Sequence, residues 1–364
     1  MNIWLLFPIS RLTFATFILS WGLSCWASSP NGVRVLTLVE IVPSETAEYF
    51  VSKEFEQARL ATQLAIQDYR KMMPGCAVQL DSVLRRGSEE DLFLTIQGLS
   101  RKTNPGVVVG LSRSNSIKLA AKAAQGTPLV GISIGASTSS LYEINPLFVS
   151  LMTSWEDQWA LLKDEMISRG CSRETSIGIF DPGNALSVSY KNQFVAAFGA
   201  TVLSNRGEGA IDFSLHLRAK KCLFIPLSYS SSEKILQRIV SGRWSGTIIG
   251  IGGWSVYPSL IKKTLNRASH IQVVMPTVWN SKNLRAKEFE DRVRKILGRD
   301  PSLFAPFTYD AVLLGLDTLC SGTKPWLFNP QGLKRLSLLR SYSGIAQTGN
   351  YQSELRLVTL GNHP

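Results

Sequence analysis

The chain has few of the residues that build catalytic or metal centres. Its three histidines, His216, His270 and His363, lie far apart, whereas metal sites usually need closely spaced ligands. GLSRSNS at Gly110 lacks the closing glycine of a nucleophile elbow, and GIGGW at Gly250 lacks the glycine spacing of a dinucleotide fingerprint. We therefore expect no enzymatic activity, no metal and no cofactor.

Long hydrophobic runs are also scarce outside the N-terminus. There, Arg11 precedes an uncharged apolar run from Leu12 to Leu23, and small residues follow as far as Ala27. The run is short for a membrane span, but this order of segments is typical of a secretory signal peptide. We predict a signal peptide over 1–27, cleavage before Ser28, and a periplasmic or secreted protein.

Cys25 lies inside this predicted leader and offers an alternative. It could be a lipid attachment site, but Gly22 stands where such sites usually carry a larger apolar residue. We favour simple cleavage over a lipoprotein or an uncleaved anchor.

The formal net charge is +12, yet the basic residues do not cluster along the sequence. Lys220 and Lys221, Lys262 and Lys263, and the run from Arg285 to Arg299 are separate, and acids interrupt the last of them. A nucleic-acid interface needs a coherent basic face, preferably with stacking aromatics. We predict no nucleic-acid partner and interpret the excess as solvated surface, mildly favouring anionic ligands or an acidic partner.

Apolar runs of strand length alternate with segments of helical periodicity. Strands are predicted at Val33–Val39, Val78–Val83, Gly106–Gly110, Leu129–Ile134, Phe148–Met152, Ser176–Phe180, Leu223–Leu227 and Thr247–Ile251. Helices are predicted near Ala58–Met72, Glu89–Ser100, Ser114–Ala124, Glu156–Arg169, Ser187–Phe198 and Ser232–Val240. The alternation predicts parallel sheets with helices on both faces, and its restart after Met152 predicts two α/β lobes.

The most informative segment runs from Gly110 to Leu141. It is typical of a strand end, a hydroxyl-rich turn, a helix, a strand and a second hydroxyl-rich turn. Ser114 and Asn115 are residue types that cap helices, and a helix N-terminus favours an anionic group. The second turn contains Ser137. Ligands of open parallel sheets bind beyond the carboxyl ends of the strands, so the two turns predict a seat for a carboxylate.

Four segments resemble the type I periplasmic binding proteins, in the branch related to leucine, isoleucine and valine binding. They follow the family's order along nearly the whole mature chain and lie at Ala58–Gly75, Gly110–Leu141, Ser176–Ala200 and Phe304–Leu319. The resemblance implies two doubly wound parallel-sheet lobes joined by three hinge crossings, near Thr153, Met275 and Ser341. Lobe 1 would comprise 28–153 and 275–341, and lobe 2 would comprise 154–274 and 342–364. Closure about the hinge is the implied motion.

The resemblance also implies ligand-binding positions in both lobes. In lobe 1, Ser114 with Asn115, and Gly135, Ala136 and Ser137, match the positions that hold a carboxylate. In lobe 2, Gly252 stands where the family usually has an acid that binds an ammonium group, so the ligand need not be a standard amino acid. Tyr229 and Trp254 are candidate aromatic walls, and Glu40 is a candidate substitute acid; each is alternatively a packing or surface residue.

The resemblance implies a monomeric solute-binding protein that delivers a small carboxylate-bearing ligand, such as an amino acid or amide, to an ABC permease. One alternative is a periplasmic sensor that partners a membrane receptor. Another is a degenerate scaffold without a ligand.

The four cysteines of the mature chain allow three disulfide pairings, which the sequence cannot rank. We favour Cys171 with Cys222, because both precede strands of lobe 2. Free buried thiols are the alternative.

Overall fold

A computed structural model describes residues 32–40, 47–85, 88–101, 106–136, 141–205, 216–256, 258–266, 268, 270–277, 284–302, 304–320, 342–345, 351–353 and 355–361. Two sheets organise it, one for each predicted lobe. The leader, Cys25 and Ser137 lie outside the described residues, as does the crossing near Ser341.

The first sheet is entirely parallel and has the order β2-β1-β3-β4-β5. Its strands are β1 (Val33–Glu40), β2 (Val78–Arg85), β3 (Gly106–Val109), β4 (Leu129–Ser133) and β5 (Phe148–Ser150). Its helices are α1 (Ala47–Met72), α2 (Glu89–Ser100), α3 (Ser114–Ala123), the short α4 (Leu141–Ile144), α9 (Leu284–Leu297) and α10 (Phe304–Cys320).

Successive residues of these strands pack alternately into two separate hydrophobic cores, one on each face of the sheet. Val107 and Val109 pack with α1 and α10 on one face. Between them in sequence, Val108 packs with α2 and α3 on the other face. Period-two alternation in a sheet covered on both faces explains why β3 is a continuous apolar run.

The second sheet has the order β13-β10-β9-β8-β6-β7. Its strands are β6 (Ser176–Phe180), β7 (Thr201–Ser204), β8 (Cys222–Ile225), β9 (Gly246–Gly250), β10 (Ile271–Thr277) and β13 (Arg356–Leu360). Its helices are α5 (Trp155–Ser168), α6 (Ala185–Phe198), α7 (Tyr229–Ser241) and α8 (Pro258–Leu265). A separate hairpin comprises β11 (Tyr342–Ile345) and β12 (Tyr351–Ser353).

One edge of the second sheet departs from the predicted parallel alternation. β13 runs antiparallel to β10, with Met275 opposite Val358. The predicted crossing at Met275 falls inside β10, so the chain leaves this sheet only after Thr277. It then forms α9 and α10 on the first sheet and returns to the second sheet as β13.

Two disulfides connect the four cysteines of the described chain. Cys171 pairs with Cys222, which confirms the favoured pairing, and Cys76 pairs with Cys320. Each lobe therefore carries its own covalent link. None of the helices in the described ranges is both long and apolar enough to cross a membrane.

Candidate functional site

The loops after β3 and β4 lie against each other. Ser133, the buried last residue of β4, donates through Oγ to the carbonyl oxygen of Leu111 at 2.5 Å. The same Oγ accepts from the backbone N–H of Ala136 at 2.9 Å. A Cβ added at Gly135 would lie 3.0 Å from the carbonyl oxygen of Ser112, so the contact leaves little room for a side chain there. The two predicted turns therefore meet at one edge of the sheet.

The end of β5 supports the same pair of loops. Ser150, which is fully buried, donates through Oγ to the carbonyl oxygen of Ala136 and accepts from the N–H of Met152 at 3.1 Å. Both backbone polar groups of Ala136 are thus bonded to serines of β4 and β5, and its side chain is buried. Ala136 therefore holds the loop together through its backbone.

The helix that follows β3 begins one residue earlier than its serine cap predicted. Its N-cap is Arg113, with an extended backbone at φ −104° and ψ 142°, and the N–H of Ile117 donates to the Arg113 carbonyl at 3.1 Å. Ser114 and Asn115 are consequently the first two helical residues rather than caps. Ser114 is half-buried and Asn115 is exposed, beside the contact between Ser112 and Gly135.

The N-terminus of α3 differs from the other helix starts whose caps are described. In α2, α5, α6 and α7 a serine or asparagine side chain at the N-cap accepts from the backbone three residues on. Arg113 makes no such side-chain bond. A helix start has several N–H groups without intrahelical partners and the positive end of the helix dipole. The first turn of α3 thus retains the capacity to bind an anion.

In lobe 2, Gln158 fills the position that faces Gly252. Its Oε1 accepts from the N–H of Gly252 at 3.0 Å and from the Tyr190 hydroxyl at 3.5 Å. Its Nε2 donates to the carbonyl oxygen of Thr153, in the connection between the lobes, at 3.1 Å. A Cβ at Gly252 would lie 2.8 Å from Oε1 of Gln158 and 3.2 Å from Cε of Met152. The close approach of Gln158 explains why glycine, and no acid, stands at 252.

The two candidate aromatic walls belong to the core of lobe 2. Trp254 is 0% exposed, and its Nε1 donates to the carbonyl oxygen of Leu227 at 2.8 Å. Tyr229 packs edge-on against Trp254 at a centroid distance of 6.3 Å. The pKa of the Tyr229 hydroxyl is raised to about 12, chiefly by burial; a hydrogen bond to Thr264 offsets part of the rise, and the charge of Glu233 adds to it. Both rings are packing residues here, the alternative that the sequence left open.

Two acids stand at strand ends, Glu40 at the end of β1 and Asp181 directly after β6. The side chain of Glu40 lies outside what the structure describes. Oδ1 of Asp181 accepts from the N–H of Gly183 at 2.8 Å, which closes its own turn. Within the described residues, no group of three histidine, cysteine or acidic side chains could hold a metal ion.

Three side chains that organise these loops were not predicted from the sequence, namely Ser133, Ser150 and Gln158. Ser133 and Ser150 lie inside the predicted strands Leu129–Ile134 and Phe148–Met152 and are the last residues of β4 and β5, and a polar residue near the end of a buried strand is a usable signal. Gln158 gave no signal, because its contact with Gly252 joins residues 94 positions apart.

Comparison with known proteins identifies the fold. No family model matches the chain, and no curated protein matches it. Among solved structures, the branched-chain amino acid transporter substrate-binding protein LivJ of Streptococcus pneumoniae, in complex with isoleucine, is 16% identical with a TM-score of 0.70, covering 91% of this chain and 96% of that one.

Two further structures extend the comparison. A substrate-binding protein of an ABC transporter from Desulfitobacterium hafniense, in complex with Leu, is 16% identical with a TM-score of 0.68, covering 90% of this chain and 96% of that one. A solute-binding protein of Rhodopseudomonas palustris, in complex with benzoate, is 15% identical with a TM-score of 0.63, covering 90% and 95%. The chain therefore has the two-lobed α/β fold of the type I periplasmic binding proteins.

Proposed function

We propose that the chain is an exported solute-binding protein that closes its two lobes on a small carboxylate-bearing ligand and delivers it to an ABC importer. Proteins of this fold that bind leucine, isoleucine and benzoate support a binding role rather than an enzymatic one. The predicted leader supports a periplasmic or secreted location, and the proposed state is a monomer.

The start of α3 carries this proposal. It lacks the side-chain cap found at four other helix starts, and it borders the contact between Ser112 and Gly135. A carboxylate there would accept from first-turn N–H groups and meet the positive end of the dipole. Ser114, Asn115 and Gly135 are the residues proposed to bind it, with Ser137 in the second turn.

The residues of lobe 2 favour ligands that lack an ammonium group over free amino acids. Gly252 has no side chain, and the nearest polar atom, Oε1 of Gln158, already accepts from the Gly252 N–H. A buried ammonium without an acceptor is costly. We therefore expect the affinity to be higher for aromatic acids, other carboxylates and amides than for amino acids.

Calorimetric titration of the purified protein with leucine, isoleucine, benzoate and short amides tests the proposal. Arg113→Asp adds a capping acceptor and a negative charge at the start of α3, so carboxylate affinity should fall at least 10-fold while the helix stays intact. Arg113→Gln is the matched control, because it removes the same guanidinium without supplying a short capping side chain. Unchanged affinity in Arg113→Asp, or no binding of any compound by the unmodified protein, would contradict the proposal.

The partner is tested separately. Recovery of permease components with the protein supports import, whereas recovery of a membrane receptor supports the sensory role. Ligand binding with neither partner would leave import unsupported, and a fold that binds nothing in the panel would favour the scaffold.

A further inference from the structure

The end of lobe 2 that lies away from the strand C-termini gathers basic residues that are scattered in sequence. β6, β8, β9 and β10 are neighbouring parallel strands, with Ser176 opposite Cys222, Cys222 opposite Thr247, and Gly246 opposite Ile271. Three steps between neighbouring strands span about 15 Å. The short turns that precede these four strands therefore form one line.

Backbone and side-chain contacts hold these turns together. Nζ of Lys220 donates to the carbonyl oxygen of Glu174 at 2.6 Å, and Nε1 of Trp244 donates to the carbonyl oxygen of Lys220 at 2.8 Å. The N–H of Gly246 donates to the carbonyl oxygen of His270 at 3.2 Å. The line of turns is thus a built part of the fold.

Apart from Arg169, which is paired with Glu165, the described turns of this line, which we name the basic edge, carry five permanently cationic side chains and one acid. The cations are Arg173, Arg218, Lys220, Lys221 and Arg243, with His270 beside them and Glu174 as the acid. Lys220 is half-buried and the other four cations are exposed. The basic residues are scattered along the sequence but lie together in the folded chain, because strand order brings together cations that are up to 70 residues apart.

Glu174 offsets only one of these charges. Its carboxylate accepts from Ser172 Oγ at 2.8 Å, and this hydrogen bond, together with nearby Arg173 and Lys220, keeps its pKa below the ordinary value. The corresponding end of lobe 1 provides a contrast, since the described turns 74–77, 125–128 and 145–147 contain no charged residue and the described part of the turn before β3 contains one, Arg101. The basic edge is a local feature of lobe 2.

The backbone conformation of Arg243 is a second indication that the basic edge has a function. It has φ +57°, the only non-glycine residue with positive φ in the described ranges, and it directly follows a glycine. A left-handed conformation is unfavourable for a side chain with a Cβ and recurs at functional positions. The turn places a long cation where glycine would be easier to accommodate.

We propose that the basic edge docks the protein onto a membrane surface rich in anionic phospholipid. A row of exposed, flexible cations complements the phosphates of such a surface, and each Lys or Arg near it strengthens binding by about five-fold. The described edge offers no exposed aromatic ring for stacking on single-stranded nucleic acid, since Trp244 is buried and its N–H is bonded. This interaction is independent of the proposed ligand site.

Sedimentation with lipid vesicles tests the inference. At 20 mM salt the protein should bind vesicles of 30% phosphatidylglycerol in phosphatidylcholine, bind pure phosphatidylcholine at least 10-fold more weakly, and dissociate at 300 mM salt. The edge variant combines Arg173→Gln, Arg218→Gln, Lys221→Gln and Arg243→Gly, and should weaken binding by roughly 100-fold or more. Replacing Arg243 by glycine also relieves its backbone conformation, so the variant should fold.

A charge-matched control variant combines Lys122→Gln, Lys191→Gln, Lys287→Gln and Lys295→Gln. These four lysines are exposed and lie outside the turns of the basic edge, so the dissociation constant for vesicles should rise less than three-fold. Equal losses in the two variants would show that net charge alone acts and would overturn the inference. Equal binding to neutral vesicles, or tighter binding to duplex DNA than to the anionic vesicles, would overturn it as well.

Discussion

The two lobes have the same α/β architecture, but different side chains occupy the space around the loops at their strand ends. In lobe 1, serines at the ends of the strands bind the loop backbone, while Ser114 and Asn115 keep exposed surface. In lobe 2, the large side chains of Gln158 and Trp254 fill the corresponding space. From this comparison we propose that lobe 1 provides most of the ligand contacts and that lobe 2 chiefly closes over them.

The largest expected effect concerns the disulfides, of which each lobe has one. Cys76 and Cys320 are 244 residues apart, whereas Cys171 and Cys222 are 51 apart. In the chain-entropy model, closing the longer loop contributes about 5 kcal/mol to the free energy of unfolding and closing the shorter loop about 4 kcal/mol. Urea denaturation of the paired variants Cys76→Ser with Cys320→Ser and Cys171→Ser with Cys222→Ser should therefore give the lower midpoint for the first pair. The reverse order would show that loop length does not govern the difference.

The next effect concerns the filled space in lobe 2. Gly252→Ala would place its Cβ 2.8 Å from Oε1 of Gln158, so we expect the free energy of unfolding to fall by about 1 to 3 kcal/mol. Gly253→Ala is the matched control, because Gly253 is exposed and has no atom within 4 Å of an added Cβ. Adding Gln158→Ala to the first variant should recover part of the loss. Equal stability of the two glycine variants in urea would contradict the tight packing around position 252.

The smallest effect compares two fully buried serines, one in each sheet. Ser133→Ala removes an Oγ that bonds both Leu111 and Ala136, and should lower the free energy of unfolding by about 1 to 2 kcal/mol. Ser176→Ala removes an Oγ without a hydrogen-bond partner in the described structure, and should leave stability unchanged or slightly raised. Thermal unfolding measures both. A larger loss for Ser176→Ala than for Ser133→Ala would reverse the contrast.

Local patterns predicted the framework well. The helix Glu89–Ser100 has the predicted bounds, because Ser88 and Asp91 form a complete capping box. The buried strand Gly106–Val109 followed from its apolar run. β13 was not predicted, since it is a short strand whose pairing with β10 depends on residues about 80 positions away.

The candidate site was predictable only in outline. The two turns of lobe 1 meet as expected, but Arg113 replaces Ser114 as the N-cap of α3. Trp254 has the residue type of a binding-site wall, yet its ring packs on Gly250 and its N–H reaches Leu227. Residue type alone does not reveal whether a side chain points into the core or towards a ligand site.

Hydrophobic periodicity and capping act over a few residues, so the alternation of strands and helices can be predicted from the amino acids alone. The exclusion of a side chain at 252 by Gln158, and the common edge of Arg173, Arg218 and Arg243, arise only when the chain folds. Both outcomes depend on contacts between residues far apart in the chain, and such contacts are set by strand order and packing.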